Sequence, residues 1–342
     1  DQVVNYQYSA EDPTGRAWVE EQFERIVTHS FPELLTDTYS RFNLGPILSL
    51  HNFCDDPAIR QKARMVVDWI LLQHAAHFFH GHTAGATRRT YFPMQKPNNL
   101  LTPNWLYFGG PVESDGKLSV VNATFALSSS QPPPLFQDLA WDRNQTYIQY
   151  GSRSTSTAER LVTFFDHTYT VFSQYPLQND LGPRSTWHHE ALQAGVRWKT
   201  AANGYSTLFI KHPCPKEPEH VRIPWLGDTE FHQILQHRGT MIGIVNIPKK
   251  RPPAYREESW RNHLLGVFPC DHHALIDQSQ QGRLYLHFGT VMIGLCLTQP
   301  FDIQPASWPP RRDDANEFRI EGSTEGLQAG YVIAAAPPGT SE

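Results

Sequence analysis

The sequence predicts an α+β protein, with an N-terminal α-helical segment over residues 1–105 packed on a large C-terminal antiparallel β-sandwich over residues 106–342. Three observations predict it. Apolar residues recur at helical spacing up to about residue 105. Beyond that point they fall in short alternating or β-rich runs. The chain's 27 prolines mostly separate those later runs, together with Gly, Ser, Asn and Asp, as in antiparallel sheets rather than parallel α/β ones.

The elements follow in order. In "TGRAWVEEQFERIVTHSF", Trp18, Val19, Phe23, Ile26 and Val27 form an apolar stripe, Thr14 is placed to cap and Pro32 follows the end. In "TDTYSRFNLGPILSLHNFC" the stripe of Tyr39, Phe42, Ile47, Leu48 and Leu50 is broken, and Gly45-Pro46 predicts a kink or a division. "DDPAIRQKARMVVDWILLQHAAHFF" is the clearest helix. Asp55 or Asp56 caps it, Pro57 takes the first helical position, and Ala63, Val66, Val67, Ile70, Leu71 and Ala75 form the buried face. It is expected to run to about Phe79, where Gly81 and Gly85 break it. Strands are predicted in "KLSVVNATFAL", "QTYIQYG", "RLVTFFDHTYTVFSQY", "HEALQAGVRWKT", "YSTLFIKH", "TMIGIVNIP", "RLYLHFGTVMIGLCL" and "FRIEGSTEGLQAGYVIAA". Ile293, Leu295 and Leu297 should face a core, and Cys54 and Cys296 read as small buried residues.

Composition narrows the function. At 342 residues the chain can bury a substantial core, and with 39% hydrophobic and 18% charged residues it is globular. A net charge of −5 without a basic block excludes a nucleic-acid footprint, and no apolar run is long enough to span a bilayer. Aromatics at 12%, with nine Trp, suit half-wet surfaces such as sugar faces as well as cores. The first residue is Asp rather than Met, which suggests a mature or trimmed form, and the sequons at Asn122 and Asn144 fit a secreted or extracytoplasmic glycoprotein. None of the four cysteines has CxxC spacing; Cys214 and Cys270, both in Pro-flanked loops, are the more natural disulfide pair.

The densest chemistry is "HFFHGHTAGATRRTYF", residues 77–92. His74, His77 and His80 share a helix flank, but there is no HExxH and no interleaved carboxylate, so no metal or other cofactor is expected. His74 and His77 read as solvated or capping histidines, favoured by the dipole at a helix C-terminus. His82, Arg89 and Tyr91 lie in the Gly-containing segment beyond, where side chains can converge on a cleft. A phenol beside a cation can act as base and then acid, which is what proton abstraction next to a uronate carboxylate and elimination across the 4-position require. In the competing view Arg88 and Arg89 pair with acids such as Asp55 or Asp68, and Tyr91 simply packs.

The stretch from Thr38 through Tyr91 resembles the last helices of the α/α-toroid of heparinase II/III-like, polysaccharide-lyase-related proteins. The matching features are Tyr39, Asn43-Leu44, Asp56-Pro57 and Arg89-Thr90-Tyr91, in the family's order. "DHHALIDQSQQGRLYLHFGTVMIGLCL" resembles the family's sandwich segment at Gly282, Leu286 and Gly289. The chain departs from the pattern in having Arg88 where the family has Gly before its Arg, in having too few helices for a whole toroid, and in lacking a recognisable motif around the sandwich His.

The resemblance implies a partial α/α-toroid on a β-sandwich and a lyase that cleaves a uronate-containing polysaccharide. Asn43 would bind the carboxylate, Tyr91 would shuttle the proton, and Arg89 would lower the Tyr91 pKa or bind the carboxylate. His82, or His188 in "STWHHEALQAG", would be the partner base or neutraliser. The alternatives are a glycoside hydrolase, with Asp55, Asp56 and Asp68 as candidate carboxylates, and a non-catalytic carbohydrate-binding or structural secreted protein. In the latter, Trp105, Tyr107, Trp187 and Trp198 supply the stacking surface. The expected partner is a polysaccharide, with no nucleic acid and no membrane.

Overall fold

A computed structural model of the chain describes residues 13–30, 35, 40–87, 103–109, 120–142, 144–152, 160–175, 193–200, 205–214, 228–253, 255, 257, 260–269, 275–277, 281–306, 315–323 and 325–339. The protein is α+β. The described helices are α1 (Pro13–His29), α2 (Ser40–Phe53), α3 (Pro57–Ala76), α4 (Pro103–Phe108), α5 (Val120–Leu127) and α6 (Pro134–Trp141). Between α3 and α4 stands a two-strand hairpin, β1 (Phe78–Phe79) and β2 (His82–Thr83).

Helix α3 follows its sequence closely. Asp56 is the N-cap, accepting from the Ala58 and Ile59 amides at 2.8 and 3.3 Å, and Pro57 follows it. All six residues of the predicted apolar face are buried, packing with Phe23, Ile26, Leu44, Leu48 and Phe108 in one helical core. Three expectations need correction. Helix α2 runs unbroken through Gly45-Pro46, because at the seventh position of a helix packed against α3 and α5 the lost hydrogen bond is outweighed by burial of Leu44, Ile47 and Leu48. Helix α3 stops at Ala76 rather than Phe79. Helices also continue beyond residue 105, since "VVNATFAL" forms α5, not a strand: Phe125 is drawn into the helical core, and tertiary packing overrides the β-branched preference. The switch from helix to strand falls between Trp141 and Tyr147.

The described strands form two large sheets, and every described pairing is antiparallel. The eight-stranded sheet contains β3 (Tyr147–Ser152), β4 (Arg160–Phe165), β5 (Tyr169–Tyr175), β6 (Ala194–Lys199), β7 (Tyr205–Lys211), β10 (His263–Pro269), β14 (Ile303–Pro305) and β15 (Ala315–Glu321). Its order is β14-β15-β10-β7-β6-β5-β4-β3. The six-stranded sheet, in order β11-β12-β13-β16-β9-β8, contains β8 (His232–His237), β9 (Thr240–Pro248), β11 (Leu275–Asp277), β12 (Arg283–His287), β13 (Met292–Leu297) and β16 (Gly326–Ala336). One apolar cluster joins their facing sides, with Val171, Val196, Leu208 and Phe318 from the first sheet meeting Met241, Leu284, Ile293 and Ile333 from the second.

Three glycines shape the packing of the sheets. Gly195, Gly243 and Gly266 lie directly opposite Phe172, Tyr331 and Phe318 on neighbouring strands, and each ring occupies the space a Cβ would need. Strand β13 buries Ile293, Leu295 and Leu297 as predicted. Cys296 belongs to the alternate face and is exposed, correcting the expectation of burial; Cys54 is half-buried. Cys214 is buried, while Cys270 lies outside the described residues. Asn144 is exposed in the bend after α6, and Asn122 falls within α5. No described helix is long and apolar enough to cross a membrane.

Candidate functional site

The C-terminus of α3 meets the edge of the eight-stranded sheet, and several polar side chains fasten that seam. His77 is the C-cap of α3: its backbone N–H reaches the Gln73 and His74 carbonyls, and its ring Nδ1 lies 2.8 Å from the Gln73 oxygen. A carbonyl can only accept, so Nδ1 carries the hydrogen and Nε2 keeps the lone pair in the neutral ring. His80 and Gly81 then take positive φ, 50° and 94°, as the two central residues of a hairpin that pairs Phe79 with His82. The His80 Nε2–H donates to the His167 carbonyl at 2.7 Å. The Ala84 amide returns to the His77 carbonyl at 2.7 Å.

The sheet grips this loop from its own side. Tyr147, stacked on Phe165 at 4.5 Å, donates its hydroxyl to the Ala76 carbonyl at 2.8 Å. Buried Arg197 donates to the Thr83 carbonyl and, at 3.2 Å, to Thr207 Oγ1. Asn104 from α4 donates to Thr83 Oγ1 at 2.5 Å. Gly85, at φ 100°, passes so close that a Cβ there would stand 2.9 Å from Thr163 Oγ1 and 3.1 Å from His77 Cδ2. Glycine lets the chain run past the imidazole without crowding it.

Beside His77 lies an open cleft of about 200 Å³ at the helix–sheet seam. Ser30, Trp69, Gln73 and His77 line its helical side; Gln149 and Tyr150 of β3 line the other. Tyr150 is 69% exposed. The cleft thus brings together the His77 imidazole, two side-chain amides and an aromatic ring facing water. Behind it His74 is fully buried and is not the cap, which corrects the expectation of a solvated or capping histidine. Burial first, and then its proximity to His77, lower its pKa to about 3, with Asn104 partly opposing. Neither ring nitrogen of His74 reaches a partner at hydrogen-bond distance, so Asn104 acts on it only at longer range.

Among the sequence-predicted site residues, His82 belongs to this seam but is fully buried in β2, which suits it to support the loop rather than touch a polymer. Asn43 is not brought to the cleft. It lies half-buried in α2 and is not among the residues that line the cleft. Tyr107 is 7% exposed inside the helical core, and burial pushes its pKa up to about 12. Trp198, expected on a stacking surface, is instead core, stacked on Phe288. Arg89, Tyr91, Trp187 and His188 lie outside the described residues, as does the side chain of Trp105. Of the candidate hydrolase carboxylates, Asp56 caps α3 and pairs with Arg16, Asp68 pairs with Arg64 at 3.0 Å, and Asp55 is exposed beside the cap. Tyr150, Gln149 and Trp69 were missed. Their signal, aromatics and amides on two elements 80 residues apart in the chain, becomes a site only once β3 is known to border α3.

A second polar network lies within the strand region. Asp228 accepts from the amides of His212 and Thr229, both at 3.1 Å, and from His232 Nδ1 at 3.2 Å; Tyr331 donates to His232 Nε2 at 2.8 Å. His212 Nδ1 accepts from Thr229 Oγ1 at 2.6 Å, and its Nε2–H donates to the Arg261 carbonyl at 2.7 Å. Every ring nitrogen of His212 and His232 is thereby used, which marks a structural network. Among the described residues no three His, Cys, Asp or Glu side chains converge to hold a metal ion.

No protein-family model and no curated protein matches this sequence. Among solved structures, a heparinase III is similar to it over 95% of this chain, at 10% identity and a TM-score of 0.44. The match covers 55% of that protein, so the chain spans about half its length.

Proposed function

We propose that the chain is a polysaccharide-lyase-like protein, a partial α/α-toroid on a β-sandwich, that cleaves a uronate-containing polysaccharide by β-elimination at the helix–sheet seam. The observation that carries this reading is the His77 imidazole, its tautomer held by the Gln73 carbonyl, in a cleft shared with Gln73, Gln149 and the exposed Tyr150 ring. Abstraction of the proton next to a uronate carboxylate needs that carboxylate's charge satisfied by hydrogen bonds. Side-chain amides such as Gln73 and Gln149 can supply them. The flat Tyr150 face suits a pyranose ring.

In this mechanism Tyr91 takes the proton from the uronate α-carbon and returns one to the leaving oxygen at the 4-position, while Arg89 favours its phenolate form. His77 assists as base or neutraliser, with His188 and Trp187 as further contributors. The "RRTY" segment starts three residues after Gly85, which packs against His77. Asn43 and His82 act through support of the helices and loop, and Trp105 and Tyr107 through the helical core. Secretion accompanies this reading, since such polymers are met outside the cell.

The test is ultraviolet absorbance of the unsaturated product over a panel of uronate polymers. A rising signal on at least one polymer is expected. A silent panel, with a polymer still bound and Tyr150→Ala losing that binding, would leave the cleft as a glycan-binding site without catalysis.

A further inference from the structure

A second, larger groove of about 610 Å³ runs between α1 and α3. Its floor is Phe23 and Val66, both buried, while Val27 and Met65 at its lips are 43% and 63% exposed. The apolar stripe of α1 is thus wider than its contact with α3: Phe23 and Ile26 are covered, and Val27 is left exposed. The charge along the groove is one-sided. Among the described residues, Glu20, Glu21 and Glu24 line it against one cation, Lys62. Lys62 is already engaged with Glu20 at 2.7 Å, and Arg16 approaches the same carboxylate at 3.6 Å. Glu21 and Glu24, one turn apart, form no ion pair with a described residue.

We infer that this groove is a docking site for a basic amphipathic helix of a partner polypeptide. An apolar trough walled by α-helices takes a helix whose anchors repeat at i, i+3 or i+4, and i+7. At 17 residues α1 is about 25 Å long, room for four turns of such a partner. Its apolar face would cover Val27 and Met65, and Lys or Arg at its edge would face Glu21 and Glu24. The same acids repel a polyuronate, so the groove does not extend the neighbouring cleft as a substrate track, although the two share Val27 and Thr28. The inference stands independently of the proposed lyase activity.

The experiment uses the full chain at physiological salt with two fluorescent synthetic helical peptides. Both carry the same leucine face; one has lysine edges, the other glutamate edges. Anisotropy should show saturable one-to-one binding of the lysine-edged peptide only. The double variant Glu21→Lys, Glu24→Lys should weaken it at least tenfold, as should Met65→Asp; both changes are at exposed positions and should leave the far-ultraviolet spectrum unchanged. Equal binding of the two peptides, or full affinity in the double variant, would overturn the inference. So would self-association of the chain that the double variant abolishes, because the occupant would then be a second copy.

Discussion

Gly243→Ala puts one methyl group where the Tyr331 ring already sits. The two residues are cross-strand partners on β9 and β16, and the new Cβ would lie far inside the ~3.5 Å carbon–carbon contact distance from the ring carbons. Tyr331 cannot swing into solvent: it is 2% exposed, and its hydroxyl holds His232, which in turn holds Asp228. Overpacking of this kind costs roughly 1–3 kcal/mol. Displacing the hydroxyl strands the buried His232 Nε2, for roughly another 1–3 kcal/mol. The sum, about 2–6 kcal/mol, should appear as a lowered urea midpoint followed by near-ultraviolet circular dichroism and tryptophan fluorescence. Gly294→Ala is the control. Its Cβ would stand 3.7 Å from the nearest Tyr285 ring atoms, an ordinary contact, so it should shift stability by no more than about 0.5–1 kcal/mol. Tyr331→Phe should cost about 1–3 kcal/mol alone, and less than additively with Gly243→Ala because both act on one hydrogen bond. A Gly243→Ala protein as stable as the Gly294→Ala protein would refute the ring-over-glycine packing.

Three further outcomes are expected. Burial lowers the pKa values of His74, His212 and His263 to about 3, 4 and 3, from an ordinary value of 6.5. Protons therefore bind the unfolded chain first, and stability is full above pH 6.5 and lost as pH falls toward 3–4. At pH 5 each histidine contributes about 2 kcal/mol of that loss, and a denaturation midpoint unchanged between pH 7 and pH 5 would contradict it. Asp56→Ala removes the α3 cap and the Arg16 pair and should cost about 0.5–2 kcal/mol in the same urea assay, whereas Asp55→Ala, exposed and off the cap, should be near neutral. Tyr147→Phe frees the Ala76 carbonyl and should raise backbone hydrogen exchange in residues 77–84 with little change elsewhere; uniform exchange would show that the loop does not depend on this anchor.

Much of the fold was legible because local rules and tertiary packing agree. Asp56-Pro57 caps and starts α3 as its residue types dictate, and the alternation along β13 separates Ile293 and Leu295 from Gly294 and Cys296. Failures came where packing outvoted local preference. Val120-Val121 reads as a strand yet opens a helix that carries Phe125 into the helical core, and Pro46 reads as a break yet sits inside one. The site was half legible. The histidines at the exit of α3 fall at the helix–sheet seam; His74, expected to be solvated or capping, is buried, whereas His77 is the C-cap. Its companions Gln149 and Tyr150 could not be seen, because nothing in a linear pattern says that an edge strand 70 residues on returns to that helix. The aromatic count could not distinguish Tyr150 in water from Tyr107 and Trp198 in cores.

The central claim concerns a proton moved at the seam, and the most direct measurement is the rate of unsaturated-product absorbance for the wild-type chain beside Tyr91→Phe, on whichever uronate polymer responds. Tyr91→Phe keeps the ring and removes the hydroxyl. The account predicts an unchanged unfolding midpoint and a rate lower by ~10²–10⁴-fold, the size of a lost general acid–base. A Tyr91→Phe protein that turns over at the wild-type rate would contradict it.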